Sequence, residues 1–112
     1  MKLRTKRFAL EVIRLVAELP KTVEGRAIGS QLVRSGTSVG ANYRAACRGK
    51  SKADFVAKLG IVEEEADESC YWLELITEGQ LLAEDRVIAL LKEANELTAI
   101  IVASRKTAGE TR

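Results

Sequence analysis

From Phe55 to Ile76 the apolar and small residues recur at steps of 4, 3, 4, 3, 4 and 3: Phe55, Leu59, Val62, Ala66, Ser69, Leu73 and Ile76. Residues three and four apart share one face of an α-helix, whereas a strand alternates its faces at every residue. The register therefore requires a long amphipathic helix with an a/d seam, and it excludes a strand over this stretch. Such a helix cannot bury its seam alone and needs partner helices. Ser51 or Asp54 is suited to cap its start and Gly79 its end.

Three further segments supply those partners. The first runs over about residues 3–19, with Phe8, Val12, Ile13, Val16 and Leu19 opposite Arg4, Arg7, Glu11, Arg14 and Glu18, and Pro20 ends it. The second, over about residues 22–48, keeps the helical period through Ile28, Leu32, Ser35, Val39, Tyr43 and Ala46. Its Ser35–Gly40 stretch is a poor helix former, since an interior glycine costs about 1 kcal/mol relative to alanine. The period stays in phase across it, so a continuous helix is expected, with Gly36 and Gly40 forming a notch for a close neighbour. The third helix covers about residues 52–78. The fourth covers about residues 82–105, with Val87, Leu91, Ala94, Thr98 and Ile101 on one seam and Leu90, Leu97 and Ile100 broadening its apolar face. Lys106 to Arg112 reads as a frayed tail. Short connections make an all-α, antiparallel up-down-up-down four-helix bundle the expected architecture, as a single domain over residues 1–112.

Composition bears most on chemistry. The chain of 112 residues contains no histidine. That removes the usual general base, the usual nucleophile triad and the Glu-x-x-His pairs of di-metal bundles. The run Glu63-Glu64-Glu65-Ala66-Asp67-Glu68 accordingly reads as a solvated or intersubunit acidic face, not a metal site. Arg48-Gly49-Lys50-Ser51 lacks the first glycine of a phosphate-binding loop and reads as a turn with a serine cap. No enzyme activity, catalytic residue, metal or cofactor is expected. Cys47 and Cys70 form no Cys-x-x-Cys pair and read as reduced, partly buried thiols of a cytoplasmic protein. Glu11 and Arg14 interrupt the apolar stretch after the basic N-terminus, so a signal peptide is not expected, and no apolar run is long enough to span a membrane.

The formal net charge of +2 hides an asymmetry. Residues 1–52 carry 12 Lys and Arg against 3 Glu, and residues 53–112 carry 6 against 13 Asp and Glu. At 100° per residue, Arg26, Arg34, Arg44 and Arg48 form a ridge opposite the apolar side of the second helix, continued by Lys50 and Lys52. Two readings fit. The ridge contacts phosphates of a nucleic acid, or it pairs with the acidic face of the third helix in the same chain or a neighbour. Aromatics make up only 4% of the chain and none interleaves with the ridge, so base stacking is not expected. Tyr71 and Leu75 point away from the third helix's seam, with Trp72 at its flank. Together with Glu64 and Glu68 and the broad face holding Leu90 and Leu97, they form the candidate interface of a homo-oligomer. Two functions follow: a non-enzymatic oligomeric scaffold binding RNA or DNA through the ridge, or a protein-interaction adaptor whose charged faces serve self-assembly alone.

Several blocks occur in order: Leu32-x-Arg34-Ser35, Ser35-Gly36-Thr37-Ser38-Val39-Gly40-Ala41-Asn42-Tyr43-Arg44, Ser51-Lys52-Ala53-Asp54-Phe55, and Glu63 through Leu75. With these, nearly the whole chain resembles the four helix bundle protein family, also called the 23S rRNA-intervening-sequence protein family. The resemblance implies a left-handed bundle with a continuous second helix and a ring-like homopentamer. It also implies a distant relation to the accessory variability protein of diversity-generating retroelements, a basic pentameric barrel that binds a reverse transcriptase and nucleic acid. The implied partners are thus the chain itself, RNA or DNA, and a reverse transcriptase or other protein. This chain departs from many relatives at Ala45-Ala46-Cys47, where they carry an acidic residue and glycine, and its +2 is modest beside the retroelement branch.

Overall fold

The computed structural model describes residues 1–110. Four helices account for most of them: α1 (Lys2–Ala17), α2 (Val23–Cys47), α3 (Lys52–Glu78) and α4 (Glu84–Glu110). Several of these boundaries have a local cause. The Thr22 hydroxyl accepts from the Gly25 N–H at 3.1 Å, opening α2 directly after the Pro20 break. Ser51 does the same for α3, accepting from the Asp54 N–H at 3.0 Å. At the other end of α3, Gly79 stays right-handed and Gln80 takes the left-handed conformation at φ 58°. Its N–H donates to the Thr77 carbonyl, and the Leu81 N–H donates to that of Ile76 at 2.9 Å. This is the Schellman pattern, with glutamine where glycine is the usual occupant.

The helices form an elongated body of 49 × 21 × 19 Å. α2 packs on α1 and α3, α3 on α4, and α4 meets α1 along a shorter contact. The core runs the length of this body. The α3 seam is buried as its spacing requires: Leu59, Val62, Ala66, Ser69, Leu73 and Ile76 are inside, with Phe55 packed at the edge. The Ser35 and Ser69 hydroxyls hydrogen-bond to each other at 3.0 Å, pairing the two polar groups this register buries.

α2 is continuous through its glycines. A Cβ at Gly36 would lie 2.8 Å from a Val12 methyl, and one at Gly40 would lie 3.2 Å from the Thr5 hydroxyl oxygen. The notch thus lets α1 approach α2 where any larger residue would hold it off. Thr5 is fully buried there, its hydroxyl satisfied by the Met1 and Lys2 carbonyls.

Three details differ from the sequence reading. In α1 the buried row is Thr5, Phe8, Val12 and Leu15, continued just past the helix by Leu19, and Ile13 is 49% exposed. In α4 it is Val87, Leu90, Ala94, Leu97 and Ile101, with Leu91 and Thr98 at the edge. Two seams one residue apart compete in that helix. Putting Leu90 and Leu97 inside buries more apolar surface than putting Thr98 there, so the leucine seam wins. Leu90 and Leu97, read as interface candidates, therefore belong to the chain's own core. α4 also continues to Glu110, beyond the expected helix end near residue 105; residues 111 and 112 of the expected tail lie outside the described residues.

Candidate functional site

The basic half of the chain meets itself where α1 lies against α2. A groove of about 540 Å³ opens between the start of α1 and the end of α2. Lys2 and Lys6 line it from α1, one helical turn apart, and Arg44 and Arg48 line it from α2 with the same spacing. Leu3, Ala9, Thr37, Gly40 and Ala41 supply its uncharged lining. A second groove of about 350 Å³ follows the same seam at its other end, with Lys21 and Arg26 among its walls and Gly25, Gly29 and Val33 between them. No carboxylate and no aromatic ring lines either groove.

Electrostatics separates these six cations from the remaining arginines. Among the described residues none of the six makes an ion pair. Like charges four apart on a helix repel, and Lys2 sits at the positive end of α1, whose first turn holds no acidic residue. The like charges gathered along this seam therefore repel one another.

Arg34 belongs to a different network. It lies about 80° around α2 from Arg26 and Arg44. Its guanidinium donates to both Glu65 oxygens, at 2.9 and 3.2 Å, and also to Glu68. These bonds raise its pKa above the usual arginine range. Glu68 also accepts from the Trp72 indole N–H at 3.0 Å, and this bond, followed by Arg34, holds its carboxyl below the usual range. Arg34 thus follows the second of the two readings of the ridge, pairing with the acidic face of α3 in the same chain and clamping α2 to α3. The same kind of pairing ties α1 to α4: Arg4 donates to Glu93, and Arg86 to Glu18.

The sequence-derived ridge thus divides. Arg44 and Arg48 share the larger groove, Arg26 lines the smaller, and Arg34 leaves the set. Lys50 and Lys52 are exposed in and just after the α2–α3 connection and line neither groove. Lys2, Lys6 and Lys21 were missed by sequence reasoning. The four-residue spacing shared by Lys2/Lys6 and Arg44/Arg48 was the signal that could have paired the two helices.

The interface candidates divide as well. Glu64 is exposed and forms no ion pair among the described residues. Tyr71 is 53% exposed and stacks edge-on against Trp72, with ring centroids 5.0 Å apart. Leu75 is half-buried, Trp72 and Glu68 are engaged within the chain, and Leu90 and Leu97 are core. Exposed apolar side chains that the sequence reading did not select include Leu3, Leu10 and Ile13 on α1 and Ile88 and Val102 on α4.

Cys47 is exposed and Cys70 buried, and both are free thiols. Burial pushes the Cys70 thiol up. Among the described residues no helix is long and apolar enough to cross a membrane, and no group of three or more acidic or cysteine side chains stands together as a metal site.

Comparison with known proteins finds similarity to a protein family and to solved structures. A family model described as 23S rRNA-intervening sequence protein matches residues 2–103. A crystal structure of a protein of unknown function from the S23 ribosomal protein family of Bacteroides thetaiotaomicron superposes with a TM-score of 0.87. It shares 31% sequence identity, over 94% of this chain and 97% of that one. No curated protein matches.

Proposed function

The chain belongs to the 23S rRNA-intervening sequence protein family, and from that premise we propose that it is a non-enzymatic oligomeric scaffold that binds RNA or DNA through the cationic seam between α1 and α2. The observation that carries this reading is the convergence of Lys2, Lys6, Arg44 and Arg48 on one groove with no carboxylate to neutralise them. Stability alone does not account for such a grouping, whereas phosphate groups would compensate all four charges. Arg34, Arg4 and Arg86 mark the contrast, since each is already matched by glutamate within the chain.

In this reading the helices run antiparallel, up-down-up-down. Support comes from the order of contacts. Thr5 and Val12 of α1 meet Gly40 and Gly36 of α2, Cys70 of α3 meets Thr98 of α4, and Glu63 meets Arg105. The scaffold closes as a ring-like homopentamer. The exposed apolar side chains of α1 and α4 support self-association.

Gel shift with a structured RNA at low and moderate salt tests the binding. Wild type should bind at low salt and weaken steeply as salt rises. The Lys6→Glu, Arg44→Glu double variant should lose at least tenfold in affinity, while Arg34→Gln should retain it. No binding at low salt, or equal binding by the double variant, would overturn the reading. A protein-interaction adaptor is the competing function, favoured by the unpaired, exposed Glu64. It requires Glu64→Lys to change the oligomer mass by light scattering with no nucleic acid bound by either form.

A further inference from the structure

Resting on that reading, we infer that the α1–α2 seam binds double-helical nucleic acid, through phosphates alone and irrespective of sequence, with its two cation clusters holding separate stretches of backbone. The first observation is the layout of charge. Lys2, Lys6, Arg44 and Arg48 form one cluster, Lys21 and Arg26 the other. Arg26 and Arg44 are eighteen residues apart on one unbroken helix, about 27 Å at 1.5 Å per residue. Between them the seam presents Gly29, Ser30, Val33 and Thr37, which carry no charge.

A single strand laid along this seam would carry a phosphate at every nucleotide across the neutral middle, with nothing there to compensate it. A duplex behaves differently. Its two backbones cross a protein face in turn, with the minor or the major groove facing the protein between crossings, and the pattern repeats every turn, about 34 Å. Two cation clusters flanking a neutral stretch match that pattern.

The second observation is the position of every aromatic ring. Binding of single strands draws on rings on which bases stack. Here Phe8 is core, Phe55 and Tyr43 pack against the core, and Trp72 is hydrogen-bonded to Glu68. Tyr71, the exposed ring, lies on α3 between Asp67 and Glu74, where the local charge repels phosphate. The amide side chains that read adenine edges are missing from the seam as well, and its arginines and lysines are free to meet phosphate. Neither groove is lined by asparagine or glutamine, and Asn42 spends its amide N–H on the Ser38 carbonyl. What remains is charge matched to backbone.

The test uses the full chain and labelled 24-base-pair RNA and DNA duplexes of two unrelated sequences, together with their component single strands, read by fluorescence anisotropy. Duplexes should bind at least tenfold more tightly than the single strands, and within about threefold of each other between sequences. The RNA and DNA arms identify which helix form is preferred. Arg26→Glu and Arg44→Glu, one in each cluster, should each weaken duplex binding tenfold or more, and their melting temperatures report whether the fold is intact. Should either unfold, Arg26→Gln and Arg44→Gln replace them. Single strands bound as tightly as duplexes, with the same loss on Arg44→Glu, would overturn the duplex inference and leave the nucleic-acid reading standing. A tenfold preference for one sequence would overturn it too. Absence of binding to every probe at low salt would remove both.

Discussion

Arg34 and Arg44 sit on the same helix, ten positions apart, and do different things. Arg34 reaches glutamates on α3, and Arg44 faces Lys2 and Lys6 across a groove with no acid in it. Sequence spacing put both on one ridge because a wheel resolves direction only relative to its own helix. Which neighbour lies in each direction depends on how α1 and α3 flank α2, and no local pattern encodes that. Leu97 illustrates the same limit for apolar residues. It was assigned to an oligomer surface and is fully buried in the chain. Leu97→Ala should cost about 2–5 kcal/mol in chemical denaturation, as for a buried leucine, and leave the oligomer mass unchanged. A change of mass with little loss of stability would return it to the interface. Gln80 holds a left-handed conformation that costs an L-residue about 1–2 kcal/mol. Gln80→Gly should therefore raise the denaturation midpoint, by about 1 kcal/mol after the glycine's greater unfolded-state entropy is offset.

At the scale of elements, the reading of α3 was the most complete, because its seam is unambiguous over its whole length and every seam residue but Phe55 is buried. The continuity of α2 was legible from phase, and its Gly36–Gly40 notch receives Val12 and Thr5 of α1. The registers of α1 and α4 were less legible. Each offers two overlapping apolar rows, and only packing against a partner selects one. The α1–α2 contact gives a direct test. In Gly36→Ala a methyl would press on Val12 at 2.8 Å, well inside normal contact. Overpacking of about 1–3 kcal/mol should outweigh the roughly 1 kcal/mol gained in helix propensity, for a net loss near 1 kcal/mol by urea denaturation. A more stable Gly36→Ala variant would mean that the helices do not approach so closely. The cationic groove should widen with the helix separation in this variant, so nucleic-acid affinity is expected to fall with stability.

At the scale of the whole molecule, charge dominates. Arg86 depresses the Glu18 carboxyl and Arg4 that of Glu93, while Trp72 and then Arg34 depress Glu68. Each of these groups binds its proton less readily folded than unfolded. Their contribution to stability is therefore complete above the ordinary carboxylate value of about 4.3 and is lost as pH falls through the folded values. With no histidine to titrate between pH 5 and 8, the melting temperature should stay flat across that range and then drop below about pH 4. A melting temperature that rises on acidification would contradict these ion-pair assignments. The halves of opposite charge were legible in the sequence, and the structure locates the unmatched cations: Arg4, Arg34, Arg86 and Arg105 pair with glutamates, whereas the cations lining the α1–α2 seam pair with none among the described residues.

Those unmatched cations make the salt dependence of RNA affinity the most direct test of the central claim. Equilibrium binding of a structured RNA should be measured between 50 and 300 mM salt for wild type and for the Lys6→Gln, Arg44→Gln variant. Each phosphate contact contributes about 0.9 to the slope of log affinity against log salt for a duplex. Removing two cations from the groove should make that slope shallower by about 2 and weaken binding similarly for unrelated sequences. Parallel slopes, with affinity unchanged, would contradict the assignment of the seam as the phosphate-binding surface.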